Sequence, residues 1–145
     1  MKVLISPAKT IDIKELDKSF DYSVANFLIE SSQLVKKLKK FSVKKIEGLM
    51  HVSTDLAQIN YTRFQNWSEP IEINSAVSPA IFAFNGEVYK GFDAQSLTEE
   101  QLDSAQNKVR ILSGLYGILK PLDLLFPYRL EMGTKWSITP NQNNL

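Results

Sequence analysis

The chain of 145 residues has no cysteine. Disulfides, thiolate metal sites and cysteine nucleophiles are therefore excluded within it. Histidine is almost as scarce. His51 stands alone, so a histidine-rich metal centre is excluded as well. The acids are scattered without metal-ligand spacing, and neither a metal nor a cofactor is expected. No run of about 18 apolar residues occurs, so no membrane span is indicated. The opening "MKVLISPAKT" holds three consecutive apolar residues, too few for a secretory signal. The glycine-rich GxxxxGK[ST] phosphate cradle is missing too. These absences fit a cytoplasmic protein.

What is present is an ordinary globular composition, 43% hydrophobic and 23% charged, with a concealed charge asymmetry. The net charge is +1, yet residues 1–45 carry ten lysines against five acids, and the remaining residues carry seven cations against eleven acids. Six lysines fall in "KKLKKFSVKK", residues 36–45, with no acid among them. Such a run is either a solvated helix face or a patch for an anionic partner, nucleic acid first.

Periodicity and turn chemistry predict a mixed α/β (α+β) fold. "KVLIS" reads as a short buried strand stopped by Pro7, followed by a loop through Asp21. Ser23 is placed to cap a helix running through Phe41. Ser42 caps a second helix over residues 43–52, with Val43, Ile46, Leu49 and Met50 inward. Ser53 or Thr54 caps a third, with Leu56, Ile59, Asn60, Arg63, Phe64 and Trp67 on one face, and these two helices form a helical hairpin. Asn85-Gly86 sits between apolar flanks and reads either as a β-hairpin turn or as the end of a buried strand. Thr98 and Gln101 form a capping box. "VRILSG" reads as a buried strand, and "LYGILKPL" as a short helix broken at Pro121 with Gly114 and Gly117 at its start. The closing "TKWSITPNQNNL" has no clear final element, and the chain reads as a piece of a longer domain.

Chemistry-bearing signals are modest. Ser6, Lys9 and Thr10 at a strand end could grip a phosphate, or mark simple strand termination. His51 reads as a surface or capping histidine rather than a base. The hairpin of residues 42–67 is more informative. A short connection can aim the backbone N–H groups of a second helix at a DNA phosphate, with lysines adding attraction and reading no bases. Simple packing of two helices is the alternative. The usual glycine-apolar-glycine connection is replaced here by His51-Val52-Ser53.

Four collinear stretches, "LISPAKT", "LMHVSTDLAQINYTRF", "AIFAFNGEVYKGF" and "LSGLYGILKPLDLLFPYRLEMGTK", together resemble the N-terminal portion of the YaaA peroxide-stress protein family. The resemblance covers nearly the whole chain and a little over half of a family member. It implies that residues 1–145 are the N-terminal part of a single YaaA-like domain whose C-terminal part is missing. It further implies a cytoplasmic bacterial protein that protects cells from hydrogen peroxide, limits free intracellular iron and binds DNA through a helix–hairpin–helix-like element and a positively charged cleft. No reaction comes with the resemblance. The positions matching its motifs are Ser6, Lys9 and Thr10, residues 49–64, and Tyr128, Arg129, Glu131 and Gly133.

The leading expectation is therefore phosphate-dominated DNA binding without sequence preference, through Lys36, Lys37, Lys44, Lys45, Ser53, Thr54 and Arg63. The alternative is an enzyme acting on a nucleotide or damaged nucleic acid. Its polar cleft would be built from Ser6, Lys9, Thr10, Tyr128, Arg129 and Glu131, with Arg129 gripping an anion and Glu131 as acid or base. Direct iron sequestration is disfavoured by the missing cysteines and the single histidine.

Overall fold

Three of the described helices open on a side-chain cap, at Ser42, Ser53 and Thr98. The computed structural model describes residues 1–16 and 20–136. Along it run β1 (Val3–Ile5), β2 (Thr10–Ile11), α1 (Leu28–Leu38), α2 (Val43–Met50) and α3 (Thr54–Asn66). They are followed by β3 (Ser78–Pro79), α4 (Ala80–Ala83), β4 (Phe84–Asn85), α5 (Glu87–Phe92) and α6 (Glu99–Lys108). The described elements close with β5 (Val109–Ser113), β6 (Gly117–Leu119) and β7 (Leu124–Leu125). The fold is mixed α/β, as the pattern predicts. Its strands make a three-stranded sheet in the order β1-β5-β6 and two two-stranded pairs, β2-β4 and β3-β7. β1 and β5 run parallel, with Val3 opposite Val109 and Ile5 opposite Ile111.

The residues group into two compact units. The first comprises Met1–Asn26, Pro70–Leu112 and Ile118–Pro127. The second comprises Phe27–Glu69, Ser113–Gly117 and the described residues from Tyr128 onward.

In the first unit, Asp123 is 1% exposed and organises its surroundings. Its carboxyl accepts hydrogen bonds from the Ser23 hydroxyl and from the Lys120 N–H, the latter at 2.8 Å. Gln106 donates to the same Ser23 hydroxyl at 2.8 Å and accepts the Leu122 N–H at 2.8 Å. Ser23 also gives its N–H to the Leu122 carbonyl and takes the Leu124 N–H on its own carbonyl. This bridge overturns the predicted helix start. With both backbone groups committed to residues 122–124, Ser23 cannot open a helix, and α1 begins only at Leu28. The apolar run of β1 is also misleading: the strand forms, but Val3 and Leu4 are 42% and 63% exposed rather than buried.

Asn85-Gly86 is not a hairpin turn, and the strand that Asn85 ends is two residues long rather than the whole apolar run. A two-residue type I′ turn needs positive φ at both central positions, whereas Gly86 is extended at φ −170. Residues 80–83 are a helical turn, and Phe84 and Asn85 pair antiparallel with Ile11 and Thr10. Thus the stretch before Asp21, predicted as a loop, supplies a strand. Gly86 then starts α5, and a Cβ there would stand 3.1 Å from the Ala8 Cβ. The capping box survives intact: Thr98 takes the Gln101 N–H, and the Gln101 side chain takes the Thr98 N–H.

In the second unit, α1 to α3 bury Val35, Leu38, Ile46, Ala57 and Phe64. The serine pair that interrupts the apolar rhythm of α1 has a purpose. Ser31 is fully buried, and its hydroxyl lies 2.9 Å from both the Phe27 and the Leu115 carbonyls. A polar group at a core position is tolerated because it is bonded. On α3 the predicted inward face is only partly right. Asn60, Phe64 and Trp67 are buried, whereas Leu56 and Ile59 are 38% and 47% exposed. "LYGILKPL" is not a helix. Residues 114–116 form a turn, Gly117 takes φ +75, and the chain leaves as strand β6. That left-handed φ suits glycine and ends any helix there.

Candidate functional site

The α2–α3 hairpin is built as its caps predict. The Ser42 hydroxyl takes the Lys45 N–H at 3.2 Å, and the Ser53 hydroxyl takes the Leu56 N–H at 3.3 Å. Between them His51 closes α2 in the left-handed conformation, φ 52 and ψ 50, with its N–H on the Glu47 carbonyl. Glycine is the usual residue there. His51 is therefore a capping residue, as its position suggests. Thr54 donates to Glu47 Oε2 at 3.1 Å and ties the start of α3 back to α2.

All seven residues predicted to contact phosphate lie in this second unit. Lys36 and Lys37 occupy the last turn of α1. Lys44 is exposed in the first turn of α2, and the Lys45 ammonium rests 4.1 Å from the Phe41 ring centroid. Arg63 is half-buried, with Nη1 at 3.5 Å from the Asn60 amide oxygen. Ser53 and Thr54 have their hydroxyls engaged within the hairpin, and Asp55 adds a carboxylate to the first turn of α3.

The six residues of the predicted polar cleft divide between the units. In the first, the Ser6 carbonyl accepts the Tyr89 hydroxyl at 2.7 Å, Thr10 pairs with Asn85, and Lys9 is exposed. Tyr128, Arg129 and Glu131 belong to the second. Arg129 and Glu131 approach to 3.7 Å, and the Glu131 side chain is 51% exposed. They are therefore not the buried ion pair whose cost a core would have to offset. The Arg129 Nε is buried and has no acceptor among the described residues. Glu131 also lines a cleft of about 330 Å³ together with His51, Thr134 and Lys135. The sequence pattern assigns no role to Thr134 and Lys135. Only the folding of the loop against the end of α2 brings them to the hairpin.

Tyr128 anchors this loop. Its hydroxyl shares a 2.6 Å hydrogen bond with Ser113, whose oxygen also takes the Tyr116 N–H at 2.9 Å. Tyr116 in turn accepts the Trp67 indole N–H at 2.9 Å, and the rings of Tyr116 and Tyr128 meet edge to face at 5.3 Å. Burial pushes the Tyr128 pKa up from 10.0 to about 12, outweighing the Ser113 hydrogen bond, which acts the other way. The folded state thus holds the phenolic proton more tightly than the unfolded state does. That contribution is complete below pH 10 and is lost as the pH climbs towards 12. Denaturant melts at roughly pH 9 and pH 12 should show a loss of about 2 kcal/mol from this group, and Tyr128→Phe should remove that part of the alkaline slope. An unchanged slope in the variant would take Tyr128 out of the account.

Among the described residues no group of three or more histidines, cysteines or acids is placed to hold a metal, and no helix is long and apolar enough to cross a membrane. The family described as "Peroxide stress protein YaaA" matches residues 1–145. A UPF0246 protein of Flavobacterium psychrophilum is 47% identical over 143 residues, 99% of this chain and 56% of the relative. One of Shewanella denitrificans is 50% identical over 135 residues, 93% of this chain and 52% of the relative. One of Burkholderia multivorans is 48% identical over 139 residues, 96% of this chain and 53% of the relative. The chain therefore spans about half the length of the curated relatives it matches. With the family match running over all of its residues, the chain belongs to the peroxide stress protein YaaA family.

Proposed function

We propose that this chain carries the DNA-contacting portion of a peroxide-stress protein, and that it grips phosphates without reading bases. The observation behind the proposal is the α2–α3 hairpin, which has a left-handed residue at its turn, capped helix starts on both sides and a lysine run leading into it. This hairpin serves as the helix–hairpin–helix-like element. Lys36, Lys37, Lys44, Lys45 and Arg63 supply the charge, with Ser53 and Thr54 at the α3 start. In a cytoplasmic setting such binding places the protein where radical damage is most harmful. Its effect on free iron is then exerted from DNA rather than through resident metal ligands. Saturable tight binding in an anaerobic iron titration of the full-length protein would contradict that last point.

The direct test is Lys44→Gln with Lys45→Gln in the full-length protein, titrated against labelled duplexes of several sequences. Affinity should fall to a similar extent for every duplex, and the slope of log K against log salt should flatten by about one unit per lost phosphate contact. A double variant with wild-type affinity and slope would remove these lysines from the interface.

A further inference from the structure

We propose that a cavity in the first unit binds an uncharged, ring-bearing molecule of nucleoside size. The cavity measures about 680 Å³ and lies between residues 13–16, Phe20 and Tyr22 on one side and residues 73–78 on the other. That volume is in the usual range for small-molecule sites, roughly 300–1,000 Å³. Its lining combines aromatic rings, Phe20 and Tyr22, with the polar side chains of Lys14, Glu15, Asn74 and Ser78.

Ser78 points to a ligand. The residue is 1% exposed, and its hydroxyl has no hydrogen-bond partner among the described residues. An unsatisfied buried hydroxyl costs on the order of 1–3 kcal/mol, so a group entering the cavity would remove a standing penalty. A purely aliphatic ligand would leave that penalty in place, whereas the edge of a heterocycle offers donors and acceptors.

The aromatic residues point to a planar ring. Phe20 is held by stacking on the buried Phe82, with ring centroids 5.2 Å apart, while Tyr22 remains 45% exposed on the lining. Exposed aromatic faces are where flat rings stack, whatever their substituents. Charge narrows the class further. Lys14 and Glu15 are adjacent and opposite in sign, which favours neither a phosphorylated nor a cationic ligand. A carboxylate does suit the hydroxyls of a sugar. Asn74 uses its amide oxygen for the Ala76 N–H at 2.8 Å, which leaves its N–H₂ group as the natural donor to a ring acceptor. This site is independent of the DNA reading, whose hairpin residues belong to the second unit.

The test is calorimetric titration of the full-length protein with adenosine, guanosine, cytidine and uridine in turn. At least one should bind saturably. Ser78→Ala should weaken that nucleoside about tenfold while leaving the ligand-free protein as stable as wild type or more so, because it deletes an orphan. Tyr22→Leu should weaken it several-fold through loss of stacking. Duplex affinity should be unaltered in both variants. The proposal is overturned if none of the four binds, or if Ser78→Ala binds as wild type does. It is equally overturned if Ser78→Ala destabilises the free protein, since the hydroxyl would then already be partnered within the chain.

Discussion

Gly114→Ala is expected to destabilise the protein by about 3 kcal/mol or more, the range of severe overpacking. A Cβ at this position would land on the carbonyl oxygen of Leu130, with the Leu130 carbonyl carbon at 2.8 Å and the Glu131 carbonyl carbon at 3.1 Å. All three are backbone atoms, so no side chain can swing aside to make room. The close approach lets the turn after β5 lie directly against the "PYRLEMG" loop, and Tyr128 is bonded to Ser113 just beside it. A substitution that pushes these backbones apart therefore also strains the Trp67–Tyr116–Ser113–Tyr128 chain of hydrogen bonds. Gly48→Ala is the matched control. Gly48 is exposed within α2, and a Cβ there meets nothing within 4 Å. Alanine at that helical position should raise stability by about 0.5–1 kcal/mol. Paired denaturant melts of the two variants check both signs. A Gly114→Ala protein as stable as wild type would mean that the two backbones are not in contact.

Asp123→Ala is the second large effect, with an expected loss of about 3 kcal/mol. The carboxyl is buried and accepts from the Lys120 N–H and the Ser23 hydroxyl, so its removal strands a part-buried backbone donor and loosens the bridge that holds residues 22–24 to residues 122–124. Asp123→Asn retains one acceptor of the same shape and should lose roughly half as much. The ranking of the two variants in a chemical melt carries the prediction. Equal losses would show that packing, rather than the hydrogen bonds, is what the side chain supplies. Neither residue was singled out by its sequence context for this role. Gly114 read as the opening of a helix, and Asp123 as one of several scattered acids.

How much was legible differs by element, and the difference follows interaction range. The caps at Ser42, Ser53 and Thr98 were readable because each bonds an N–H three residues ahead, within one turn of the same helix. Strand β5 was readable from its own apolar and β-branched residues. Ser23, Asn85-Gly86 and "LYGILKPL" were misread because their partners are far away in sequence. Ser23 meets Asp123 at a separation of 100 residues, and the Asn85 amide meets Asp12 at a separation of 73. Each local signal there was genuine but weak, worth about 1 kcal/mol at most, and tertiary pairing overrode it. The candidate site shows the same division. The hairpin and its lysines are local and were foreseen, whereas the approach of Glu131, Thr134 and Lys135 to His51 joins positions roughly 80 apart in the chain.

By itself, then, the sequence determined the mixed α/β class, the capped helices around residues 42–67, the exclusion of thiol and histidine-rich metal chemistry, and, through four collinear motifs, the family. The tertiary structure alone decided which serines cap and which bridge, that Gly114 is required by a carbonyl oxygen sixteen residues downstream, and that the Arg129 Nε and the Ser78 hydroxyl are buried with no partner among the described residues. The physical reason is that caps and periodicity are satisfied within a turn or two of chain. Burial, close backbone approach and the satisfaction of polar groups are properties of segments that meet only once the chain has folded.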